Sequence, residues 1–303
     1  MTDVRTVHWG IRLMLLVGTA FVTFDFVQLT FLTERTDRYF SWTIDAPTSA
    51  VVLGSFYFAA IILTLFGGTQ RAWVRTRAVV PGTWAFVTLV LLATLIHLDV
   101  FRPHQHSPDA ITRFEFWVWI GAYTVEPIGL LVFGYLQHRM PGTDPRRGEP
   151  APPGLYLLVG TVAGWIATAV GAFLFLIPDA AIDLWSWPLT PLTSRILGSW
   201  FVGAGLVMVV AMWERDRWRL FVPALAFTAL GPVQLVGILR YSEQVDWGNV
   251  QMWLHLGFLS VVFVLGVAGL AMSSKAPNQL ATVTDAPAVP VGAVPPPPPP
   301  MPG

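Results

Sequence analysis

Near its N-terminus the chain reads IRLMLLVGTAFVTFDFVQLTF over residues 11–31. Arg12 and Asp25 are the charged residues in this segment, and most of the others are apolar. A helix of about 20 residues crosses the hydrocarbon core of a bilayer, which is about 30 Å thick. The segment therefore predicts a transmembrane helix.

Seven further segments have the same character, and shorter segments that carry most of the charges separate them. The eight predicted spans are residues 11–31, 48–66, 79–101, 114–136, 155–177, 193–212, 220–239 and 250–272. The composition agrees, because 54% of the residues are apolar and 12% are charged, and the charged share is about half that of soluble domains. Mean hydropathy is +0.60. We therefore predict an all-α, polytopic membrane bundle of eight transmembrane helices, with the lipid bilayer as its surroundings.

Charge and residue usage exclude several classes of function. The 18 basic and 18 acidic residues balance, which argues against a nucleic-acid partner. The chain has no cysteine, which excludes disulfides, iron–sulfur clusters and zinc–thiolate sites. His97, Asp99, His104 and His106 lie close together in sequence, but their spacing matches no metal site. We predict no metal and no cofactor.

The basic residues are unevenly distributed between the two sides of the predicted bundle. The N-terminal segment, the second, fourth and sixth loops and the C-terminal segment carry twelve, and the other loops carry six. Cytoplasmic loops are enriched in arginine and lysine, so both termini are predicted to be cytoplasmic. Lys275 is the only lysine among the basic residues, a usage typical of GC-rich bacterial genomes. We predict a multi-pass protein of the bacterial plasma membrane.

Short motifs recur at offsets of about 142 to 145 residues. LMLLVGT at 13–19 returns as LYLLVGT at 155–161, SWTIDAPTS at 41–49 returns as SWPLTPLTS at 186–194, and LGS at 53–55 returns at 197–199. Because four spans is an even number, both copies insert in the same orientation, which predicts two parallel four-helix repeats. The predicted units are residues 1–140 and 154–274, joined by a cytoplasmic linker at 141–153 and followed by a disordered, proline-rich cytoplasmic tail at 275–303.

The segment WPLTPLTSRILGSW at residues 187–200 resembles a loop-to-helix motif, W-P-L-T-P-L-T-x-R, of uncharacterised bacterial multi-pass membrane proteins. The resemblance covers about fourteen residues and implies no activity. On physical grounds, Thr193 or Ser194 is predicted to cap the following helix. Arg195 would then lie in the first helical turn, where the helix dipole disfavours a cation, so it needs a partner such as a carboxylate or an anionic headgroup.

Polar residues inside predicted spans mark candidate sites, because burying them in lipid is costly. Asp25 and Gln28 share one helix face, and Glu126 lies mid-span before Pro127. The candidates for a cavity or substrate-binding site are Asp25, Gln28, His97, Asp99, Glu126, Arg195, Gln234, Arg240 and His255. The acidic candidates Asp25, Asp99 and Glu126 lie in the first half. The second half supplies Arg195, Arg240 and His255. Two interpretations follow: ion pairs between the halves, or a polar cavity with Glu126 at its floor.

These features favour a non-enzymatic integral membrane protein. It would be either a carrier of a small polar or weakly charged solute or an accessory subunit that binds a membrane-protein partner. The alternative is a membrane-embedded enzyme that acts on a lipid or isoprenoid substrate. That enzyme would use Asp25, His97, Asp99 and Glu126 as acid/base groups, with Arg195 and Arg240 binding an anionic group.

Overall fold

The protein is a bundle of helices in a computed structural model that describes residues 4–144 and 151–273, without the side chain of residue 102. Eight of the helices in this part are long and apolar enough to cross a membrane, which confirms the predicted all-α membrane bundle. The described residues form isolated β-bridges but no β-strand. The helices are α1 (Trp9–Phe31), α2 (Thr36–Tyr39), α3 (Pro47–Thr69), α4 (Trp73–Thr76), α5 (Val79–Ile96), α6 (Leu98–Gln105), α7 (Ala110–His138), α8 (Gly154–Leu176), α9 (Pro178–Leu184), α10 (Pro191–Glu214), α11 (Phe221–Arg240) and α12 (Val250–Ser273).

The spanning helices are α1, α3, α5, α7, α8, α10, α11 and α12. Helices α7 and α11 continue through Pro127 and Pro232. The predicted tail at 275–303 and residues 145–150 of the predicted linker lie outside the described residues.

The third span is shorter than its hydropathy predicts. Helix α5 ends at Ile96, because the His97 N–H bonds to the carbonyls of both Ala93 and Thr94, at 3.1 and 3.2 Å. This bifurcated bond tightens the last turn, and α6 then starts at Leu98. His97 therefore lies at the junction of α5 and α6, and Asp99 lies in the first turn of α6.

Helices α3 and α10 form the centre of the bundle and are its most buried spans. Helix α3 packs against α1 and α11, and α10 packs against α8 and α5. Helix α7 packs against α5 and α1, and α12 packs mainly against α11. Sequence neighbours α3 and α5 make little contact. Each half thus places one helix against the central helix of the other half, while the parallel repeat itself stays a prediction.

Close backbone contact joins α8 to α10. A Cβ atom on Gly198 of α10 would lie 2.6 Å from the Gly171 carbonyl oxygen of α8 and 2.9 Å from the Phe175 nitrogen. Small residues allow transmembrane helices to approach in this way and to gain dispersion contacts in place of a hydrophobic driving force.

At one end of the bundle, the N-terminal segment meets the second and fourth loops. The Arg5 N–H donates to the Thr143 carbonyl at 2.9 Å, and the Val7 N–H donates to the Arg71 carbonyl at 2.9 Å. We call this the basic end. At the opposite end, neutral hydrogen bonds join the loops of the two halves. Thr33 and Tyr241 hydroxyls lie 2.6 Å apart, and the Ser49 hydroxyl donates to the Pro188 carbonyl at 2.9 Å.

The N-terminus of α10 is capped one turn earlier than the sequence predicts. Thr190 is the cap, and its hydroxyl accepts from the Thr193 N–H at 3.2 Å. Pro191 takes the first helical position, where a missing N–H costs nothing. The predicted cap Ser194 instead donates its hydroxyl proton to the Leu174 carbonyl at 2.9 Å. The hydroxyls near this turn therefore both cap α10 and fix it to α8.

Candidate functional site

Three carboxyl groups lie along the contact between α1 and α7. Asp25 lies on α1, while Glu115 and Glu126 lie on α7. Asp25 is close enough to both glutamates for their charges to interact, and all three side chains border one cavity. Asp25 and Glu115 are 8% and 2% exposed. We call these three residues the acidic cluster.

Uncharged polar side chains surround the acidic cluster. The Tyr57 hydroxyl on α3 is within hydrogen-bonding reach of the Asp25 carboxyl and lies 3.1 Å from the Tyr123 hydroxyl. Gln28, one turn after Asp25, lies next to Glu115. The polar groups thus form two sets: Gln28 lies beside Glu115, and Tyr57 and Tyr123 lie beside Asp25. Such groups can donate to a carboxylate or accept from a protonated carboxyl.

No ion pair neutralises the acidic cluster within residues 4–144 and 151–273. The salt bridges among these residues involve Asp109, Asp144, Glu214 and Asp216. The hypothesis of ion pairs between the halves is therefore wrong for Asp25 and Glu126. Three uncompensated negative charges at this depth would cost several kcal/mol each. A bound proton or a bound cation would offset that cost.

Glu126 connects the acidic cluster to a second cavity at the centre of the bundle. Its carboxyl lies against α1, where a Cβ on Gly18 would be 2.7 Å from Oε1. The central cavity measures about 60 Å³, and Glu126 is the one carboxyl among its described lining residues. Phe86 and Trp200 also line it, stacked with ring centroids 3.7 Å apart. Glu126 thus borders both the cavity of the acidic cluster and the central cavity, which is lined by aromatic rings.

The predicted basic partners lie elsewhere. Arg195 Nη1 is 2.5 Å from His97 Nε2, so a histidine occupies the position predicted for a carboxylate or headgroup. Arg240 Nη1 donates to the Thr30 carbonyl at 2.7 Å, and its guanidinium lies over the Tyr241 ring. Both contacts join the two halves, but neither is an ion pair.

His97 and Asp99 lie beyond the end of α5 and away from the acidic cluster. Burial, followed by the nearby Arg195 charge, lowers the pKa of His97, and the Asp99 charge acts in the opposite direction. A neutral His97 can accept a hydrogen bond from the Arg195 guanidinium. His97 and Arg195 therefore form a structural contact between α5 and α10.

The remaining candidates, Gln234 and His255, lie in the second half. Gln234 is fully buried on α11 and borders an apolar cavity that includes Phe56 and Leu230. His255 on α12 lies among the aromatic rings of Trp185, Trp187 and Phe201. Neither residue borders the acidic cluster.

Of the predicted site residues, the structure brings together Asp25, Gln28 and Glu126. Sequence reasoning missed Glu115, Tyr57 and Tyr123. Glu115 is the second residue of the predicted span 114–136, whereas α7 begins at Ala110 and places Glu115 in its second turn. A usable signal was present, because Glu115, Trp119, Tyr123 and Glu126 recur at helical spacing and so share one face of α7.

The acidic cluster does not have the geometry of a metal site. Within the described part of the chain, no three histidine, aspartate or glutamate side chains are grouped as metal ligands. Comparisons of the chain with family models, with curated proteins and with solved structures give no match. The chemistry of the acidic cluster and of the cavities therefore carries the functional argument.

Proposed function

We propose that the protein is a non-enzymatic carrier in which proton binding at the acidic cluster is linked to movement of a small polar or weakly charged solute. The observation that carries the proposal is that Asp25 lies near two glutamates of α7, and that none of these intramembrane carboxyl groups has a basic partner among the described residues. Intramembrane carboxyls of this kind mark ion and proton pathways.

A proton is the ligand that best fits the acidic cluster. Burial and nearby like charges both disfavour simultaneous ionisation, so at least one of the three carboxyls would hold a proton. Tyr57 lies next to Asp25 and its hydroxyl is 3.1 Å from that of Tyr123, so the polar groups continue from Asp25 towards α7. Exchange of that proton with water on either side would change the charge of the site.

The solute would bind next to Glu126 in the central cavity. An ionised Glu126 attracts a cationic or hydrogen-bonding solute, and the Phe86 and Trp200 rings supply dispersion contacts. Protonation of Glu126 would weaken that attraction, which gives the linkage between proton and solute a physical basis.

A membrane-embedded enzyme is the second candidate. The observation that favours it is that the cavity of the acidic cluster is bordered by Phe24, which is 41% exposed on the surface of the bundle. A lipid substrate could reach Asp25 and Glu115 from that side. Against it, His97 and Asp99 do not join the acidic cluster, so the proposed set of acid/base groups is divided.

We also propose that the basic end faces the cytoplasm of a bacterial cell, on the basis of the twelve-to-six distribution of basic residues. Reporter fusions test this orientation. A fusion at Gly142, at the basic end, should read cytoplasmic, and a fusion at Ser107, at the opposite end, should read external. The reverse pattern would overturn the orientation.

Substitution of the acidic cluster tests the proposed function. We expect Asp25→Asn, Glu115→Gln and Glu126→Gln to preserve thermal stability, because none removes an ion pair. Infrared spectra of wild type at neutral pH should contain a protonated-carboxyl band that these variants lose. Transport is measured in proteoliposomes that contain a pH-sensitive dye, to which ethylammonium or glycerol is added. The solute should change the internal pH about tenfold faster with wild type than with Glu126→Gln.

Asp179→Asn is the matched control, because Asp179 is an exposed acid at the start of α9. It should keep both the infrared band and the proton movement. A large stability loss in Glu126→Gln would assign Glu126 a structural role. Absence of the infrared band from wild type would contradict proton binding, and lipid turnover that depends on Asp25 and Glu115 would favour the enzyme.

A further inference from the structure

A third cavity lies between α8 and α12, towards the end of the bundle opposite the basic end. It measures about 440 Å³, and its lining includes Val170 of α8 and Phe258 of α12. Nearer the basic end the same two helices touch, because the Tyr156 hydroxyl of α8 donates to the Leu265 carbonyl of α12 at 3.2 Å. The two helices therefore meet at one end and leave a space between them towards the other. We call this space the lateral cavity.

The inner surface of the lateral cavity is almost wholly apolar. Trp185, Trp187 and His255 close it at the opposite end. The indole Nε1 atoms and the imidazole Nε2 atom of these residues are buried, so the rings present carbon to the cavity. Apart from His255, none of the described lining residues is ionisable. Apolar cavities of this kind stay dry. The matching occupant is therefore a hydrocarbon, which needs no hydrogen bond from the protein.

Aromatic contacts keep the lateral cavity open. Trp185 and Trp187 have ring centroids 5.1 Å apart and planes at 78°, and His255 meets Trp187 at 5.6 Å and 78°. Edge-to-face contacts of this kind are favourable and fix the orientation of each ring. If nothing filled the space, its lining atoms would lose the dispersion contacts that a packed interior makes. An occupant would restore those contacts.

The lateral cavity opens to the lipid. Ile166 of α8 and Leu254 of α12 line it and are also 49% and 67% exposed on the surface of the bundle. Its lining also includes Phe201 of the central helix α10, which is 5% exposed. The cavity therefore leads from the lipid-facing surface to a buried helix. A chain that enters between α8 and α12 would contact Phe201, whereas lipid around the bundle would not.

The position of the lateral cavity along α12 fits a single leaflet. Its lining runs from Gln251, in the first turn, to Phe258, which corresponds to about 10 Å of helix. One leaflet contributes about 15 Å of hydrocarbon. Gln251 and Ser186 are the uncharged polar side chains of the lining, and both lie towards the membrane surface. The lining thus changes from polar at the interface to apolar at depth, as a phospholipid does.

We propose that the lateral cavity holds one acyl chain of a phospholipid from the leaflet opposite the basic end. The ester end of the chain lies towards Gln251, and its hydrocarbon packs against Phe201 and Phe258. The chain fills the space between α8 and α12, and α12 otherwise packs mainly on α11. The proposal goes beyond the proposed carrier function and does not depend on proton binding at the acidic cluster.

Photolabelling by a phosphatidylcholine with a diazirine in the middle of one acyl chain tests the proposal. The full-length protein is reconstituted in nanodiscs of this lipid and irradiated, and the labelled residues are identified by mass spectrometry of its peptides. We expect Phe201 of wild type to be labelled, because a chain in the lateral cavity lies against it. Lipid around the bundle should label only exposed side chains, such as Leu158, which is 61% exposed on α8.

Val170→Trp fills the lateral cavity with a larger side chain. Entry of an acyl chain would then overpack the space, so labelling of Phe201 should fall about tenfold. Val162→Trp is the matched control, because it makes the same change on the same helix. Val162 is 48% exposed and does not line the cavity, so labelling of Phe201 should stay unchanged. Leu254→Trp fills the cavity from α12 and serves as a second variant if the thermal midpoint shows that Val170→Trp unfolds.

Two results would overturn the proposal. One is an unlabelled Phe201 in wild type, whether the lateral cavity is empty or a co-purified polypeptide fills it. The other is equal labelling of Phe201 in wild type and in a folded Val170→Trp or Leu254→Trp protein. Asp25→Asn and Glu126→Gln should leave the labelling intact, so failure of the proposed carrier function can be distinguished from failure of lipid binding.

Discussion

Replacement of Gly198 by leucine should abolish the folded protein or lower its thermal midpoint by more than any other substitution considered. Any side chain at this position meets backbone atoms of α8, namely the Gly171 oxygen and the Phe175 nitrogen. Backbone atoms cannot move aside as a flexible side chain can, so α8 and α10 must separate. Overpacking typically costs about 1 to 3 kcal/mol, and separation of two spans along their length costs more.

The measurement is thermal unfolding of the detergent-solubilised protein, monitored by size-exclusion chromatography. Gly257→Leu is the control, because a Cβ on Gly257 of α12 meets nothing within 4 Å. It adds the same side chain to another spanning helix and should leave the midpoint unchanged. A stable, monodisperse Gly198→Leu protein would show that α8 and α10 do not depend on this contact.

Glu214→Gln should be the most damaging charge substitution. Glu214 at the end of α10 pairs with Arg77, whose Nε lies 2.7 Å from Oε1, and with Arg219. Arg219 is 3% exposed, so a neutral amide leaves a buried guanidinium with one fewer carboxylate. Asp216 still pairs with Arg219, and Asp144 still pairs with Arg77. We therefore expect a loss of about 2 to 3 kcal/mol in unfolding free energy, because two guanidinium groups lose a carboxylate but neither loses every partner.

Urea or thermal unfolding of Glu214→Gln measures this loss. Glu243→Gln, which changes an exposed glutamate at the opposite end, should stay within about 0.5 kcal/mol of wild type. High salt should not reproduce the effect in wild type, because buried pairs are poorly screened. Equal stability of the two variants would mean that Arg77 and Arg219 are satisfied without Glu214.

Hydropathy predicts the eight spans because each is a long apolar run. That signal does not depend on which other helices a span packs against. It placed the end of the third span at Phe101, since Leu98, Val100 and Phe101 are apolar. The actual end, at Ile96, depends on the backbone hydrogen bonds of His97. Local composition carries no information about such bonds.

Two of the three members of the acidic cluster could be predicted, because Asp25 and Glu126 are acidic residues well inside apolar runs. Their neighbours could not. Tyr57 reaches Asp25 only because α3 packs on α1, and Arg195 meets His97 only because α10 packs on α5. The signs of the charges suggested pairs between the halves, but pairing requires equal depth and adjacent helices, which are properties of the packed bundle.

Each half places one helix, α5 or α11, against the central helix of the other half. This packing has a consequence for biogenesis. Helix α5 leaves the ribosome long before α10, yet α10 provides most of its protein contacts. Gly82 and Phe86 of α5 lie against α10 in the finished bundle, so the surface around them must meet lipid or an insertion chaperone until the sixth span is inserted. Helix α3 likewise lacks part of its protein contacts until α11 is inserted. The nascent chain therefore inserts in order but completes its central contacts late, and a chain halted after four spans would be an inserted protein without its native core.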